Sequence, residues 1–243
     1  MKVLAVVSYK GTNYQGWQRQ TNAPSIQEEI EKVLSKILNV ETVIYGAGRT
    51  DAGVHAKGQT CHFTIDKEVD LAKLRYSVNC LLPKDIHIIS LVEVNDDFHA
   101  RYSAVGKHYT YTIVVGENNP FDNEFVLTYL KDLDVNAYIK AFEPFNGEHN
   151  FQDFTSKEED EDGFKRTVAI SSEVNGNKIT IHFVGNGFMR YMIRFMVGAA
   201  IAVMEKRIDI DFIKSHLDSE KQREIIAYKA PGEGLVLEEV LYK

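Results

Sequence analysis

The chain has 243 residues, of which 44% are hydrophobic and 26% are charged, as in soluble globular proteins with a substantial core. Its formal net charge of −7 argues against a nucleic-acid partner unless a basic groove forms locally. Two cysteines, Cys61 and Cys80, are too few for a disulfide framework, and we expect both to be buried free thiols in a reducing, cytoplasmic compartment. Metal-ligand spacings and membrane-length apolar segments are absent from the sequence, so we expect neither a metal nor a membrane.

The first half of the chain alternates predicted strands and helices. A strand at residues 2–8 leads into a polar loop that holds the only tryptophan, Trp17. Ser25 and Glu28 have the spacing of a capping box, and apolar residues from Ile26 to Leu38 recur on one helical face, which predicts a helix after the loop. Further elements follow in order: strands at 42–45 and 59–65, a helix at 69–81, and strands at 85–94 and 107–114.

The second half repeats these ingredients after a segment, residues 116–134, with few periodic signals. A helix is predicted over 135–145, a loop at 147–151, strands at 167–174 and 178–184 around an Asn-Gly-Asn turn, helices at 188–204 and 210–217, and a last strand at 235–242. Five acidic residues at 158–162 predict a solvated loop.

This order of elements predicts an α/β chain of the α+β type with two similar lobes. Each lobe is expected to be a mainly antiparallel sheet with helices packed on it, with the active-site cleft between the lobes. We place an N-terminal lobe at residues 1–115, a connector at 116–134 and a C-terminal lobe at 135–243.

A glycine-framed segment at residues 46–56 is the strongest candidate for chemistry. Glycines allow close approach of the backbone to a ligand, so the loop can present the carboxylate of Asp51. Arg49, two residues away, favours the ionised form, and Asp51 is therefore a candidate nucleophile or base. The structural alternative is an ordinary Asp-Ala-Gly turn in which Asp51 bonds its own backbone.

Two arginines interrupt the apolar helix predicted at residues 188–204. Arg190 and Arg194 are one turn apart, and a buried guanidinium requires an anionic partner, for which Asp51 or a phosphate is the natural candidate. The alternative is that both side chains reach past their apolar neighbours to solvent.

Aromatic and basic side chains supply candidate contacts with RNA. Tyr109 and Tyr111 share one face of a strand, where a ring either packs in the core or stacks on a base. Trp17 and Arg19 either bind a base and a phosphate, or Trp17 fills the core beneath its loop. Basic residues recur beside glycine and aromatic residues, as a phosphate-binding groove requires: Lys10, Arg19, Arg49, Lys57, Arg101, Lys107, Arg166, Arg190, Arg194 and Lys229.

Five motifs in the same order resemble those of the tRNA pseudouridine synthase A family. They are Tyr-Gln-Gly-Trp-Gln-Arg-Gln at 14–20, Gly-Arg-Thr-Asp-Ala-Gly-Val-His-Ala at 48–56, the pair Phe-His-Ala-Arg at 98–101 and Tyr-Thr-Tyr at 109–111, Gly-Phe-Met with Met-Ile-Arg and Val-Gly between 187 and 198, and Ala-Pro-Gly-Glu-Gly-Leu at 230–235. The resemblance runs nearly end to end and implies the pseudouridine synthase fold.

The resemblance implies isomerisation of uridine to pseudouridine at positions 38, 39 and 40 of the anticodon arm of tRNA, without a cofactor. Asp51 takes the position of the catalytic aspartate, which attacks the ribose C1′ or the uracil C6, or removes a ribose proton. Tyr109 takes the position of a tyrosine that packs on the target base, and Arg194 is expected to pair with Asp51. Arg49 is expected to hold the stem open so that the uridine flips out.

The matching motifs also imply further contacts with substrate and a homodimer in which one tRNA touches both subunits. The expected substrate contacts, besides Arg49 and Tyr109, are Trp17, Arg19, His55 and Arg101.

Three positions depart from the family pattern: Lys10 and Asn150 stand where aspartate is common, and Arg190 where an uncharged residue is common. They leave open a paralogue with another RNA target, or a catalytically silent tRNA-binding module. A hydrolase acting on a nucleoside or glycoside is a further alternative. It needs a second carboxylate, for which Asp153 is the nearest candidate.

Overall fold

The computed structural model describes residues 1–159, 163–218 and 222–243. The chain forms two compact units: Met1–Val105 with Val236–Lys243, and Gly106–Leu235. The last strand therefore lies with the first unit, and the segment expected to be a connector, residues 116–134, lies within the second. Both units combine helices with mainly antiparallel sheet, which confirms the predicted fold class.

The first unit is built on a sheet of strands in the order β4-β1-β3-β10, with a short β2 also paired to β3. Neighbouring strands are antiparallel except β10, which runs parallel to β3. Side chains of β1 alternate between buried and half-buried, the period-two pattern of a sheet with one face on the core. The strands are β1 (Lys2–Tyr9), β2 (Tyr45–Gly46), β3 (His55–Thr64), β4 (Ile86–Val94) and β10 (Leu235–Tyr242).

Two helices complete the first unit, α1 (Ile26–Leu38) and α2 (Leu71–Leu81), and they pack against each other. The hydroxyl of Ser25 accepts a hydrogen bond from the backbone of Glu28 at 3.3 Å, so the predicted cap and the predicted helix are confirmed for α1. Helix α2 begins two residues later than predicted because the Asp70 carboxylate caps it. Cys80 on α2 is exposed, contrary to our expectation, whereas Cys61 is buried.

The second unit contains most of β5 (Ala104–Val115) together with β6 (Leu127–Tyr129), β7 (Gly147–Asn150), β8 (Lys165–Asn175) and β9 (Lys178–Gly185). The strands follow the order β5-β9-β8-β7, and β6 runs parallel to β5. The β8–β9 hairpin turns at Gly176, whose φ of 60° confirms the predicted turn. Strands β6 and β7 fall where no strand was predicted, because both are too short to show an alternating pattern.

The helices of the second unit are α3 (Val135–Lys140), α4 (Met192–Met204) and α5 (Ile210–His216). The helix predicted over 135–145 stops at Lys140, and a separate 3-10 turn follows at Glu143–Phe145. Pro144 has no backbone N–H to donate to the carbonyl of Lys140, so the α-helical hydrogen bonds cannot continue through it. Short 3-10 turns and α4 surround an aromatic core made of Phe142, Phe145, Phe151, Phe154 and Phe183.

Helix α4 begins four residues later than predicted, at Met192. Tyr191 is its N-cap residue and takes a left-handed conformation, with φ 62° and ψ 3°. Arg190 therefore lies outside the helix, on an exposed turn, and the prediction that it shares a helical face with Arg194 is wrong.

The acidic run predicted as a solvated loop lies partly outside the described residues, since 160–162 are not among them. Within the described ranges, no helix has the length and apolar character needed to cross a membrane. The same ranges contain no group of three or more His, Cys, Asp or Glu side chains placed to hold a metal ion.

Candidate active site

The loop that carries Asp51 connects β2 to β3 and is fixed on both sides of that residue. The backbone N–H of Trp17 donates to the carbonyl of Thr50 at 3.1 Å, and the N–H of Gly53 donates to the carbonyl of Tyr14 at 3.4 Å. Asp51 itself is half-buried, and its carbonyl accepts from the N–H of Val54 at 3.2 Å. These hydrogen bonds to the polar loop after β1 therefore hold the backbone of the Asp51 loop in place.

Gly16 permits the close contact between these two loops. Its φ is 94°, and a Cβ placed there would stand 2.4 Å from the carbonyl oxygen of Thr50. No other amino acid fits without displacing the backbone next to Asp51. Position 16, in the first motif, therefore requires glycine because the Asp51 loop of the second motif packs directly against it.

Trp17 lies beneath the loop with 1% of its surface exposed. Its ring contacts that of Tyr9 at a centroid distance of 6.0 Å, and Tyr9 shares a 2.7 Å hydrogen bond with the hydroxyl of Thr50. Burial raises the pKa of Tyr9, so its hydroxyl stays protonated at neutral pH. This burial fits the alternative in which Trp17 fills the core, because neither ring face is open for a base.

His55 also lies inside the first unit, with 2% exposure. Its Nδ1 accepts a hydrogen bond from the backbone N–H of Gly11 at 3.1 Å. A Cβ on Gly11 would stand 2.0 Å from the carbonyl oxygen of Val54. Glycine at position 11 therefore allows the loop after β1 to approach the start of β3. His55 thereby ties the start of β3 to the end of β1.

Two expected RNA-binding arginines near this loop are directed to neighbouring side chains. The exposed Arg49 donates from Nε to the amide oxygen of Gln18 at 3.2 Å. Arg19 forms an ion pair with Glu31 of α1, which is 3% exposed, while the Arg19 side chain is 52% exposed. Arg49 on the Asp51 loop and Arg19 on the polar loop after β1 therefore both lie at the surface.

Arg101 follows the buried Ala100 at the end of the third motif. The exposed guanidinium carbon lies 5.4 Å from the centroid of the Tyr102 ring. The backbone N–H of Ala100 donates to Nδ1 of His62 at 3.2 Å, and its carbonyl accepts from the Tyr242 hydroxyl at 2.8 Å. Ala100 thus fixes the third motif against strands β3 and β10, and Arg101 next to it stays exposed.

In the second unit, Tyr109 and Tyr111 lie on β5 with different surroundings. The Tyr109 residue is 7% exposed, and its ring forms a T-shaped contact with Phe188, with the centroids 5.3 Å apart and the planes at 80°. Tyr111 is fully buried and donates to the carbonyl of Pro231 at 3.1 Å, and a Cβ on Gly234 would stand 2.8 Å from its ring. Tyr111 is therefore a core residue, and Tyr109 is the more accessible of the pair.

Arg194 on the first turn of α4 is half-buried and is held by the chain that precedes β10. Its Nε donates to the carbonyl of Ala230 at 2.8 Å, and the N–H of Ala230 donates to the carbonyl of Arg194 at 2.8 Å. One turn further along, a Cβ on Gly198 would stand 2.7 Å from the backbone of Tyr228. Helix α4 and this segment therefore fix the guanidinium together.

Asp153, the candidate second carboxylate, is a structural residue. It is 1% exposed, and its Oδ1 accepts from the N–H of Glu224 at 2.9 Å. Its Oδ2 lies 2.9 Å from Nδ1 of His216. A carboxylate enclosed by these partners is not placed to attack a substrate, which removes the support for a hydrolase.

The structure groups the expected residues within each unit. The first unit brings the Asp51 loop together with Trp17, His55 and Arg49, and the second brings Tyr109 to Phe188 and Arg194 to Ala230. Sequence reasoning missed Tyr191, because no local pattern marks a tyrosine for left-handed backbone.

Comparison with known proteins identifies the family. A family described as tRNA pseudouridine synthase matches residues 5–103 and 141–243. The relative from Streptococcus uberis named tRNA pseudouridine synthase A is 38% identical over 98% of this chain and 97% of its own length. Relatives of the same name from Clostridium kluyveri (36% identity, 99% of both chains) and Streptococcus gordonii (37%, 98% of both) agree. The chain therefore belongs to the tRNA pseudouridine synthase family and is an isomerase.

Proposed function

We propose that this protein converts uridine to pseudouridine at positions 38, 39 and 40 of the anticodon arm of tRNA, with Asp51 as nucleophile. The observation that carries the proposal is the half-buried carboxylate of Asp51 in a loop pinned by Trp17 and Tyr14. A group held in place before substrate arrives avoids the entropic cost of ordering it during reaction. The full-length relatives named tRNA pseudouridine synthase A support the same substrate class.

The proposed reaction balances without a further reactant. The glycosidic bond between C1′ and N1 of uracil breaks, the base turns, and a bond forms between C1′ and C5. N1 gains a proton and C5 loses one, so the product has the same atoms and electrons as the substrate. No cofactor is therefore required. Attack of Asp51 on C1′, attack on C6 and removal of a ribose proton remain the three routes.

In this proposal the other site residues bind the substrate, maintain the charge of Asp51 or support its loop. Tyr109 packs on the target base, and its partner Phe188 holds the ring edge-on. Arg194 keeps Asp51 ionised, and Arg49 holds the stem open around the flipped uridine. The exposed Arg19 and Arg101 contact phosphates, while Trp17 and His55 act from inside as supports of the loop.

Binding of a polyanion by a chain of net charge −7 requires a local basic surface. We propose that a homodimer provides it, with one tRNA contacting both subunits, and that the protein works in the cytoplasm. Acidic surface elsewhere then opposes non-specific RNA binding and helps selectivity.

The test is pseudouridine mapping on unmodified tRNA transcripts with wild type, Asp51→Asn and Asp51→Ala. We expect conversion of anticodon-arm uridines by wild type and a loss of at least about 10³-fold in both variants, with tRNA binding retained. The matched control is Asp211→Asn, which should convert normally because Asp211 is an exposed carboxylate whose ion pair is with Lys214, one turn away.

Each other outcome contradicts a specific part of the proposal. Turnover by Asp51→Asn near the wild-type rate would remove the nucleophile. Conversion outside the anticodon arm would favour a paralogue with another RNA target. Binding without conversion by the wild type would favour a silent module, and the departures at Lys10, Asn150 and Arg190 would be the first positions to revert.

A further inference from the structure

Three cationic side chains surround the ring of Tyr191 at the start of α4. The ammonium of Lys229 lies 4.3 Å from the ring centroid, and the guanidinium carbons of Arg190 and Arg194 lie 4.8 Å and 5.0 Å from it. Arg190 also donates to the Tyr191 hydroxyl at 3.1 Å. We call Arg190, Tyr191, Arg194 and Lys229 the Tyr191 cluster.

The backbone of Tyr191 has an unusual conformation that allows this arrangement. Its φ of 62° and ψ of 3° lie in the left-handed region, which a bulky side chain rarely adopts. Rare backbone conformations persist where surrounding structure enforces them, and they concentrate at functional sites. The α4 contacts with Tyr228 and Ala230 supply that enforcement here.

Within the Tyr191 cluster, the charges of Arg190 and Lys229 are not balanced by neighbouring carboxylates. Across the described ranges, neither Arg190 nor Lys229 has a carboxylate partner within salt-bridge distance, and both are exposed. Like charges held around one ring repel each other, and a bound anion would relieve that repulsion.

We propose that the Tyr191 cluster binds one backbone phosphate of the tRNA next to the target uridine. This inference rests on the proposed function, because Arg194 belongs to both groups. Arg190 and Lys229 offer charged donors, and the Tyr191 hydroxyl accepts from Arg190 and keeps its own proton available to donate. Guanidinium and ammonium groups together match the charge and oxygen geometry of a phosphodiester.

The ring gives the cluster its rigidity. Exposed lysine and arginine side chains ordinarily lose conformational freedom when they bind, which weakens the contact. Packing against the aromatic ring restricts them before RNA arrives. Tyr191 is thus a positioning residue in this proposal, and Arg190 and Lys229 are phosphate contacts.

The first test measures tRNA binding and its salt dependence with Arg190→Gln and Lys229→Gln. Measurements use the Asp51→Asn protein and unmodified tRNA transcript, so turnover does not interfere. We expect each variant to weaken binding about threefold to tenfold at moderate salt. Each should also flatten the plot of log K against log salt by about 0.7–0.9, as loss of one phosphate contact requires.

Lys178→Gln is the matched control, because it removes one exposed positive charge from the hairpin of the same unit. Its affinity and salt slope should equal those of the parent. Equal losses in Lys178→Gln and Lys229→Gln would show a general charge effect and overturn the proposal. Unchanged binding in both cluster variants would overturn it as well.

Substitutions of Tyr191 test the role of the ring. Tyr191→Phe should retain most of the affinity. Tyr191→Asn, which tolerates left-handed backbone, should lose as much as Lys229→Gln without lowering the midpoint of thermal unfolding. A Tyr191→Asn protein that unfolds at lower temperature yet binds tRNA normally would assign the cluster to stability alone.

A chemical probe can locate the phosphate. Neutral methylphosphonate linkages are introduced one at a time through the anticodon arm, and each is combined with Lys229→Gln. At the contacted linkage the two changes should be less than additive, since both remove the same interaction. Additivity at every linkage would contradict the proposal.

The two proposals fail in different measurements. If the Asp51→Asn protein still converts uridine while the cluster variants weaken binding, the nucleophile assignment fails and the cluster stands. If Asp51→Asn is inactive while cluster variants bind tRNA normally, only the cluster proposal fails.

Discussion

Arg194 and Ala230 exchange two hydrogen bonds, one from the guanidinium Nε to the Ala230 carbonyl and one between their backbones, each 2.8 Å long. The first bond uses the inner edge of the guanidinium and fixes its plane. The motif at residues 230–235 and the motif on α4 therefore act together to orient the guanidinium of Arg194.

Arg194→Lys should separate the geometry of this group from its charge. Lysine keeps the positive charge but has no donor at the Nε position, so the bond to Ala230 is lost. We expect turnover to fall by about 10²-fold and the free energy of unfolding to fall by about 1 kcal/mol. Single-turnover conversion of tRNA and urea denaturation measure the two effects.

The control is Arg207→Lys, which removes a comparable Nε bond to Glu205 at the end of the same helix. It should lower stability slightly and leave conversion near the wild-type rate. An Arg194→Lys enzyme as active as Arg207→Lys would show that charge alone is sufficient.

Gly16→Ala should disturb the Asp51 loop directly. The added methyl group would stand 2.4 Å from the Thr50 carbonyl, and φ at this position is 94°. We expect a loss of at least about 3 kcal/mol in the free energy of unfolding, from the left-handed backbone and the clash together. Conversion at a temperature where the variant is folded should fall as well.

Gly176→Ala is the matched control for that substitution. It also has positive φ, 60°, but a Cβ there meets nothing within 4 Å. It should lose only about 1–2 kcal/mol and retain conversion. If the two variants lose equal stability and activity, the close contact between Gly16 and Thr50 does not position the aspartate loop.

Two substitutions of Tyr109 should separate its ring from its hydroxyl. Tyr109→Phe preserves the edge contact with Phe188, so tRNA affinity should stay within about twofold while any step that uses the hydroxyl slows. Tyr109→Leu removes the aromatic surface and should lower conversion about 10-fold or more, since stacking on one base contributes about 1–3 kcal/mol. Full activity in Tyr109→Leu would exclude the ring as a platform for the base.

The first unit should lose stability between pH 6.5 and 4 because of His62. Burial, with the charges of His99 and Lys2, lowers the pKa of His62 from 6.5 to about 4, and its Nδ1 accepts a hydrogen bond from Ala100. The folded state therefore favours the neutral ring, so this contribution is complete above pH 6.5. It decreases as the pH falls toward 4. We expect a loss of about 1–2 kcal/mol, smaller than the full shift implies because the ring keeps some contact with solvent.

Urea denaturation at several pH values measures this effect, with His62→Gln as the variant that cannot titrate. The carboxyl groups of Glu205 and Asp218 have lowered pKa values, so their contribution to stability is lost at lower pH, as the pH falls through and below about 4. A wild type and a His62→Gln protein with the same slope between pH 6.5 and 4 would contradict the assignment.

The sequence by itself determined the elements whose signals are local. Helix α1 was predicted because Ser25 caps it and its apolar residues repeat at helical spacing. The β8–β9 hairpin followed from the turn around Gly176. The Asp51 loop was also visible, because its motif combines glycine and charge within eleven residues. Each of these signals depends on atoms within a few residues of one another.

Tertiary structure decided what depends on distant parts of the chain. Trp17 is buried because Tyr9 and Gly46 enclose it, and Asp153 is structural because Glu224 and His216 surround its carboxylate. No periodicity encodes such partners, since they are brought together by packing.

The start of α4 also depends on distant parts of the chain, so local sequence did not predict it. Composition favours a helix from residue 188, yet the helix begins at Met192 because Tyr191 takes left-handed backbone. That conformation is unfavourable for tyrosine in isolation, and the packing of α4 on Tyr228 and Ala230 sustains it. The sequence determined which side chains this protein has for its proposed contacts with RNA, and tertiary structure decided their positions because long-range packing outweighs local preference there.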